Sequence, residues 1–399
     1  MTDADRLDSW KEIASYLRRG LRTAQRWERD AGLPVRRVAG DGGAVYAFRS
    51  DLDAWWQRRS LNGDGPASQA VATADGRGAV RADPAGPAAR PRVRPFLSHD
   101  LRVDPDSAPG HADLAVYFFT LTMVGLMPPD EGLPAARGAA GRALQLDPDR
   151  AEAQAMLAVV AALYDRNWVE AERRWCLAFA REPVPAMVRF HYSPFFLEPL
   201  GRYAESLANL EPALAAEPMY LLGRVERATA LCAVGRIDEG LAEFELVCRV
   251  DPDFAPAVGY LAREYAIAGR LDDARTFAER AYAAVPHHPN AVGMLAGILE
   301  HTGDRDRARS ILEAHGRERA WSLPRARAEA ALVCDRVDVA MDYLADAVAE
   351  RDPGVWILFA GSARPLLLAT PRWPAVRAAL NLPPGRSLAA ADFSTPRTR

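Results

Sequence analysis

A glycine returns every 34 residues in the second half of this chain, at Gly201, Gly235, Gly269 and Gly303. Each opens a Gly-Arg or Gly-Asp turn, in the strings GRYAES, GRIDEG, GRLDDA and GDRDRA. Prolines keep a second register beside them, at Pro148, Pro183, Pro218, Pro252 and Pro286, spaced 35, 35, 34 and 34. A fixed period of this length marks a supersecondary unit that cannot bury its apolar face alone and stacks on copies of itself. The expected fold class is therefore mainly α, with a solenoid of about seven helical hairpins over residues 113–382. In such a stack each hairpin touches only its neighbours, so stability is expected to be nearly a sum of local terms.

The other 399-residue bulk properties are ordinary, 49% apolar and 26% charged, which suits a globular chain of two or three domains. Charge is unevenly placed. Residues 1–60 hold 12 Arg or Lys against 9 Asp or Glu, residues 61–95 hold 5 against 3, and the remainder holds 33 against 41. A basic front on an acidic body fits nucleic acid at one end only. The four cysteines stand singly, without a Cys-x-x-Cys pair, which reads as small buried thiols in a reducing compartment. The start, MTDADRLDSW, is acidic and has no apolar stretch, and the longest apolar run, 114–127, is too short to span a bilayer. A cytoplasmic location and no membrane partner are expected.

The first sixty residues change period three times. Ser9-Trp10-Lys11-Glu12 has the form of a capping box, followed by Trp10, Ile13, Ala14 and Leu17 on one helix face. After Gly20 a short helix over residues 21–30 buries Ala24 and Trp27 and exposes Arg22, Thr23, Gln25, Arg26 and Arg29. Past Gly32-Leu33-Pro34 the period is two: Val35 to Val38, a Gly40-Asp41-Gly42-Gly43 turn, then Val45 to Phe48, a β-hairpin. Ser50 caps a last helix over 51–59 whose Leu52, Trp55 and Trp56 close a core with Trp10 and Trp27.

Helix, turn, helix, wing and closing helix make a winged helix-turn-helix. The string DSWKEIASYLRRGLRTAQRWERDAGLPVRRV resembles the excisionase-like and mercury-resistance-regulator (MerR) class of DNA-binding modules over residues 8–58. That resemblance implies that the second helix enters the major groove. Arg22, Thr23, Gln25 and Arg26 would then face bases or phosphates, with Arg29 beside them and Arg36, Arg37 and Arg49 near the wing. Arg can bond a guanine edge bidentately and Gln an adenine edge. Gly20 departs from the usual Ser cap, and Asp41 puts a negative charge at the wing tip, where it repels phosphate.

Residues 61–112 read as a flexible Ala/Gly/Pro/Arg linker, with too little apolar surface to fold over most of their length. Beyond them, Leu261, Ala262, Tyr265, Gly269, Ala274, Ala278 and Ala281, ending at Pro286, fall where the tetratricopeptide repeat (TPR) has its signature residues. The body thus resembles a TPR array, with residues 366–380 as a capping helix and 383–399 as a disordered tail. The resemblance implies that the first helix of each unit lines a concave groove. His191, Tyr192, Glu198, Glu226, Arg263 and Glu300 are its candidate lining for a protein or peptide partner. With Lys11 the only lysine, the lysine-rich clamp that some TPR domains close on a C-terminal carboxylate has no counterpart in the body.

Phosphate-binding, nucleophile-elbow and zinc spacings are absent, and His287-His288 in a Pro-His-His-Pro turn lack companion ligands. No enzyme, cofactor or metal is expected. The leading expectation is a DNA-binding transcriptional regulator or adaptor whose head contacts double-stranded DNA and whose solenoid binds a protein. Two alternatives stand beside it, a TPR interaction scaffold that does not bind DNA and an excisionase-like architectural factor that bends it. No heptad seam specifies an oligomeric state.

Overall fold

In the computed structural model of the chain, which describes residues 6–16, 28–29, 32–37, 45–49, 51–52, 55 and 104–383, one backbone turn recurs seven times. Gly201, Gly235, Gly269 and Gly303 have φ of 76°, 85°, 76° and 95°, a left-handed conformation that glycine adopts without a Cβ clash. Each ends a helix in the same way. The N–H of the following residue turns back to the last helical turn, as from Arg236 to Leu231 O at 2.9 Å and from Arg270 to Tyr265 O at 2.8 Å. Gly125 makes the same turn at φ 75° and Asp335 at φ 56°, while Arg166 at φ 54° makes a form one residue wider, closed from Asn167 N to Ala161 O at 2.8 Å; side chains are uncommon at such φ.

These turns join seven helical hairpins within the unit Thr73–Arg399. The pairs are α2 (Ala108–Met123) with α3 (Pro129–Leu146), α4 (Ala151–Leu163) with α5 (Trp168–Ala178), and α6 (Ala186–Tyr192) with α7 (Tyr203–Ala216). Then come α8 (Leu221–Ala233) with α9 (Ile237–Val250), α10 (Ala255–Ile267) with α11 (Leu271–Ala284), α12 (Pro289–His301) with α13 (Arg305–Glu318), and α14 (Leu323–Val333) with α15 (Val337–Ala349). The helix α6 runs on into a π-helical turn, Ser193–Leu197. Prolines mark the other end of the units. Asp147 and Asp251 leave their helices extended, and Glu217 and Val285 also leave the helical region, as a following proline favours.

Small residues set the spacing. Ala274, Ala278 and Ala281 are buried where α11 meets its partner. Between units, a Cβ on Gly293 would stand 2.2 Å from Ala326 O, so α12 and α14 approach more closely than any larger residue allows. The first helix starts earlier than its composition suggests. Ser107 caps α2, its hydroxyl accepting from Gly110 N at 3.2 Å with Pro109 in the first turn, so residues 104–112 belong to the body and not to a linker.

The stack does not remain open. Past α15 the chain forms three short helices, α16 (Val355–Leu358), α17 (Ala363–Leu368) and α18 (Trp373–Ala379), in place of the single cap expected at the end. They pack on α15 and reach the second hairpin: Trp168 Nε1 donates to Leu380 O at 3.1 Å, and Arg166 donates to Ala379 O at 2.8 Å and also to Val348 O. The first hairpin meets the last two through Arg325, which donates to Met123 O at 2.9 Å, and through Gly125, packed against Pro289 and Ser322. One apolar core joins residues of hairpins one to three, hairpin seven and α16 to α18. Contacts confined to neighbours, the expectation for an open solenoid, are not what this body has.

In the unit Met1–Ala72 the described residues form a three-stranded antiparallel sheet, β1 (Arg6–Leu7), β3 (Val45–Phe48) and β2 (Arg36–Arg37), with α1 (Trp10–Tyr16). Arg6 pairs with Phe48 and Arg37 with Val45. Ser9 Oγ accepts from Glu12 N at 3.2 Å, and the Glu12 carboxylate accepts from Asp8 N at 2.9 Å, one residue before the Ser9 amide that a capping box predicts. Leu7, Ile13, Leu33, Val45, Ala47, Leu52 and Trp55 form the core, with Trp10 packed against it. The strand β1 carries no alternation long enough to be seen in sequence. Residues 17–27, with Trp27, the tip 40–43, Trp56, residues 61–103 and the tail 384–399 lie outside the described residues.

Candidate interaction surface

The first helix of each hairpin packs against its counterpart in the next, and these helices line the inside of the body. Several of their charged side chains are buried, and among them Arg263, Glu264, Arg325 and Glu329 have partners within the chain. Arg263 of α10 donates through Nη1 to Ile357 O at 2.7 Å, while its Nε lies 3.1 Å from Glu329 Oε1. The next residue, Glu264, accepts from Ser362 N at 3.0 Å. Gly361 lies against that carboxylate, and a Cβ there would stand 2.2 Å from Glu264 Oε1. The array thus grips the main chain of its own segment 352–364.

A second arginine extends the network. Arg325 Nε is 2.9 Å from Asp352 Oδ2, and its Nη1 donates to Asn290 Oδ1 at 3.3 Å. Asn290 Nδ2 donates to Glu329 Oε2 at 2.7 Å, and Gly354 N donates to Asp352 Oδ1 at 2.8 Å. Two guanidiniums and two carboxylates balance, all buried. Burial lowers the Arg325 pKa and raises that of Asp352. Buried ions of this kind hold one geometry firmly, because losing either partner strands a charge away from water.

Two further carboxyls meet between hairpins three and four. Glu198, just past the π turn, and Glu226 of α8 are both buried, and the charge of Glu198 adds to the burial that raises the Glu226 pKa. Ser206 Oγ donates to Glu198 Oε1 at 2.9 Å. Burial pushes Glu198 up to about 7 and Glu226 well above the ordinary range. The Arg364 guanidinium lies 4.8 Å from the Tyr203 ring centroid and favours the ionised form of Glu198.

Of the six residues expected to line a groove, five are buried in a filled interior. His191 packs among Phe119, Phe190 and Phe195, with ring centroids at 5.9, 5.1 and 5.7 Å, and burial lowers its pKa to about 4. Tyr192 stacks on Phe196 at 5.5 Å and touches Trp175. Glu198, Glu226 and Arg263 are occupied as described. Glu300 alone is partly open, paired with Arg336 at 2.9 Å. The other five are taken up within the chain itself, His191 and Tyr192 by aromatic neighbours and Arg263 by the backbone of segment 352–364. Sequence reasoning misses Glu264, Asn290, Arg325, Glu329 and Asp352. For Glu264 the signal is a charge inside an otherwise apolar helix, LAREYAI; the uncharged Asn290 and the loop residue Asp352 carry no such mark.

The structure places only part of the predicted DNA-contacting set. Arg36 pairs with Asp51 at 2.9 Å and Arg37 with Glu28 at 3.0 Å. Arg49 lies 5.4 Å over the Tyr16 ring, and Arg29 is exposed on a helical segment. Arg22, Thr23, Gln25 and Arg26 fall outside the described residues. His288 Nδ1 accepts from Asn290 N at 3.2 Å, capping α12. Among the described residues no group of His, Cys, Asp or Glu is arranged to hold a metal, and no helix is long and apolar enough to cross a membrane.

A family model for the tetratricopeptide repeat matches residues 265–332, from the end of α10 into α14. Solved structures resemble longer stretches. PilW, a widely conserved type IV pilus biogenesis factor, is 21% identical over 52% of this chain and 92% of its own, with a TM-score of 0.41. YrrB, a TPR protein with an unusual peptide-binding site, is 20% identical over 49% and 95%, with a TM-score of 0.31. The human IFIT1 dimer with PPP-AAAA is 14% identical over 75% and 79%, with a TM-score of 0.47. At these levels the likeness does not extend to what those proteins bind. No curated protein matches the chain.

Proposed function

We propose that this chain is a non-catalytic protein-interaction scaffold whose partner docks on the outer face of the TPR array. The observation that carries this reading is the stack of seven hairpins, which offers a long outer face, while the inner residues Arg263 and Glu264 already hold the backbone of the chain's own Ile357 and Ser362. The second helices present that face. In α11 and α13, Ala274, Ala278 and Ala308 turn inward while Arg275, Arg305 and Arg309 remain on the outer side or its edge. Rigid helical faces of this kind bind by presenting side chains at fixed spacing, with little ordering cost on binding.

The test is site-specific photocrosslinking in cells, with the probe at Arg275 or Arg309 and, as the control, at buried Ala328. A single protein adduct from the outer positions supports the reading. Adducts no different from those of the buried control refute it.

A second reading keeps double-stranded DNA as a partner of the head, and with it a role as transcriptional regulator. It is favoured by the exposed Arg36 and Arg37, side by side on a strand of a three-stranded sheet, and by the sequence resemblance over residues 8–58. Their ion pairs with Asp51 and Glu28 would have to exchange for phosphate. Binding of residues 1–72 to duplex DNA should then weaken steeply with salt. Arg36→Ala with Arg37→Ala should lower the log–log slope by nearly one for each phosphate no longer neutralised. Salt-independent retention, or none at low salt, would exclude this reading.

A further inference from the structure

We propose that His288 and His315 form an acid-operated release for hairpin one, which lets go of hairpins six and seven as the two imidazoles take up protons. Hydrogen bonding requires both rings to be neutral in the closed array. His288 Nδ1 accepts from Asn290 N at 3.2 Å, and a protonated ring nitrogen has no lone pair with which to accept. His315 Nε2 lies 2.9 Å from Ser322 Oγ, and that hydroxyl donates its one hydrogen to Arg319 O at 3.3 Å. Nε2 is therefore the donor, and the bare nitrogen is Nδ1, buried without a hydrogen-bond partner. A proton placed there would point a charged N–H at no acceptor, which is costly away from water.

Both rings stand where hairpin one is held. Asn290, the residue that His288 caps, accepts from Arg325 Nη1 at 3.3 Å through Oδ1 and donates to Glu329 Oε2 at 2.7 Å through Nδ2. The same Arg325 donates through Nη2 to Met123 O at 2.9 Å, on the last residue of α2. The turn after α2 makes the second attachment. A Cβ on Gly125 would stand 2.9 Å from Pro289 Cδ and 3.4 Å from Ser322 Oγ. Pro289 lies between His288 and Asn290, and Ser322 is the partner of His315, so hairpin one rests on the neighbours of both imidazoles.

The surrounding charge decides what protonation does. His288 faces Arg325, His287, His315 and Arg263, and burial with these neighbours lowers its pKa. His315 faces Arg319, Arg325 and His287, with Glu318 acting the other way, and His287 faces Arg319. The carboxylates of Glu329 and Asp352 are already paired with Arg263 and Arg325. An imidazolium at His288 would also stand at the N-terminus of α12, against the helix dipole. The last turn of α13 favours one at His315, but burial and the two guanidiniums outweigh it and hold that ring at about 4. A free imidazole titrates at 6.5, so the open junction binds protons that the closed one refuses. The contribution of these rings to closure is complete above 6.5 and is lost as pH falls toward 4.

Hydrogen exchange on the full chain tests this at about pH 7.5 and about pH 5.5, corrected for the intrinsic pH dependence of exchange. Opening should become about tenfold easier for each histidine over that interval, so amides of residues 113–127 and 290–297 should lose about a hundredfold of protection or more. The opening that exposes them should be smaller than unfolding, with a weaker dependence on urea than that of α9. His288→Asn keeps an acceptor for Asn290 N, and His315→Gln keeps a donor for Ser322 Oγ, but neither new side chain titrates. Each variant should keep its protection at about pH 7.5 within roughly threefold of wild type and cut the acid loss about tenfold. If His315→Gln does not fold, His288→Asn alone carries the test. An undiminished acid loss in His288→Asn, equal wild-type protection at both pH values, or exchange of these amides only through full unfolding would overturn the proposal.

Discussion

Trp356→Ala is the sharpest test of the closed array. Trp356 is buried in α16, 7% exposed, with its ring edge-on to Trp168 at 5.9 Å and 5.7 Å from Phe359. Trp168 opens α5, so one side chain links the end of the chain to the second hairpin. Truncating a buried tryptophan costs about 3–5 kcal/mol, counting both the missing packing and the cavity left behind. At about 1.4 kcal/mol per decade, that is roughly two to three and a half decades of hydrogen-exchange protection. In an open stack the loss would stay with the last hairpin and the segment after it. In a closed one, opening the seam exposes both sides, so α4 and α5 should lose protection alongside α15. Urea unfolding of the body should remain a single transition, moved to lower denaturant. If protection falls only in residues 337–383 while residues 108–178 keep theirs, the seam carries no energetic weight and the array is not closed in any energetic sense.

Asp335→Gly should stabilise the body by about 0.5–1 kcal/mol, read as a higher melting temperature, because an exposed aspartate at φ 56° would be relieved of its strain. Asp352→Asn should cost about 3–5 kcal/mol in urea unfolding, since it leaves the Arg325 guanidinium buried without its counter-charge; a loss below about 1 kcal/mol would mean that water already reaches the pair. His191 titrates at about 4 in the fold against 6.5 in a free chain. Its contribution is therefore complete above 6.5 and is lost as pH falls toward 4. The stability difference between wild type and His191→Phe should shift by about 2 kcal/mol in favour of the variant between about pH 8 and about pH 5, and parallel pH profiles would contradict the burial.

The repeat is legible in sequence because four of its seven turns use glycine in register. The other three break the register for separate reasons. Gly125 stands 41 residues before the next turn, so the period fails there. Arg166 and Asp335 occupy the left-handed position with a side chain, which no composition rule anticipates. Arg166 offsets its strained backbone by donating to Ala379 O and Val348 O across the seam. Contacts between residues so far apart in the chain leave no periodic trace, so closure cannot be read from spacing. The groove expectation fails for the same reason. Glu198, Glu226 and Arg263 do stand out in sequence as charges on inward-facing helices. Their targets are their own neighbours and the backbone and Arg364 of segment 352–364, whose string DPGVWILFAGSAR carries no mark of an internal ligand. In the head, the pairing of Arg36 and Arg37 with Asp51 and Glu28 depends on register, which the pairing of β2 with β3 sets.

A stack whose two ends meet also has a fixed count. An open solenoid can gain or lose a unit with little penalty, because each new hairpin finds the same two neighbours. Here one unit more or less would carry Arg166 past the carbonyls of Val348 and Ala379, and Arg325 past that of Met123. Duplication and deletion, the ordinary means by which repeat proteins change length, are thereby closed to this array. It can diversify through the residues on its outer helices, but its circumference is set by the chemistry of the seam.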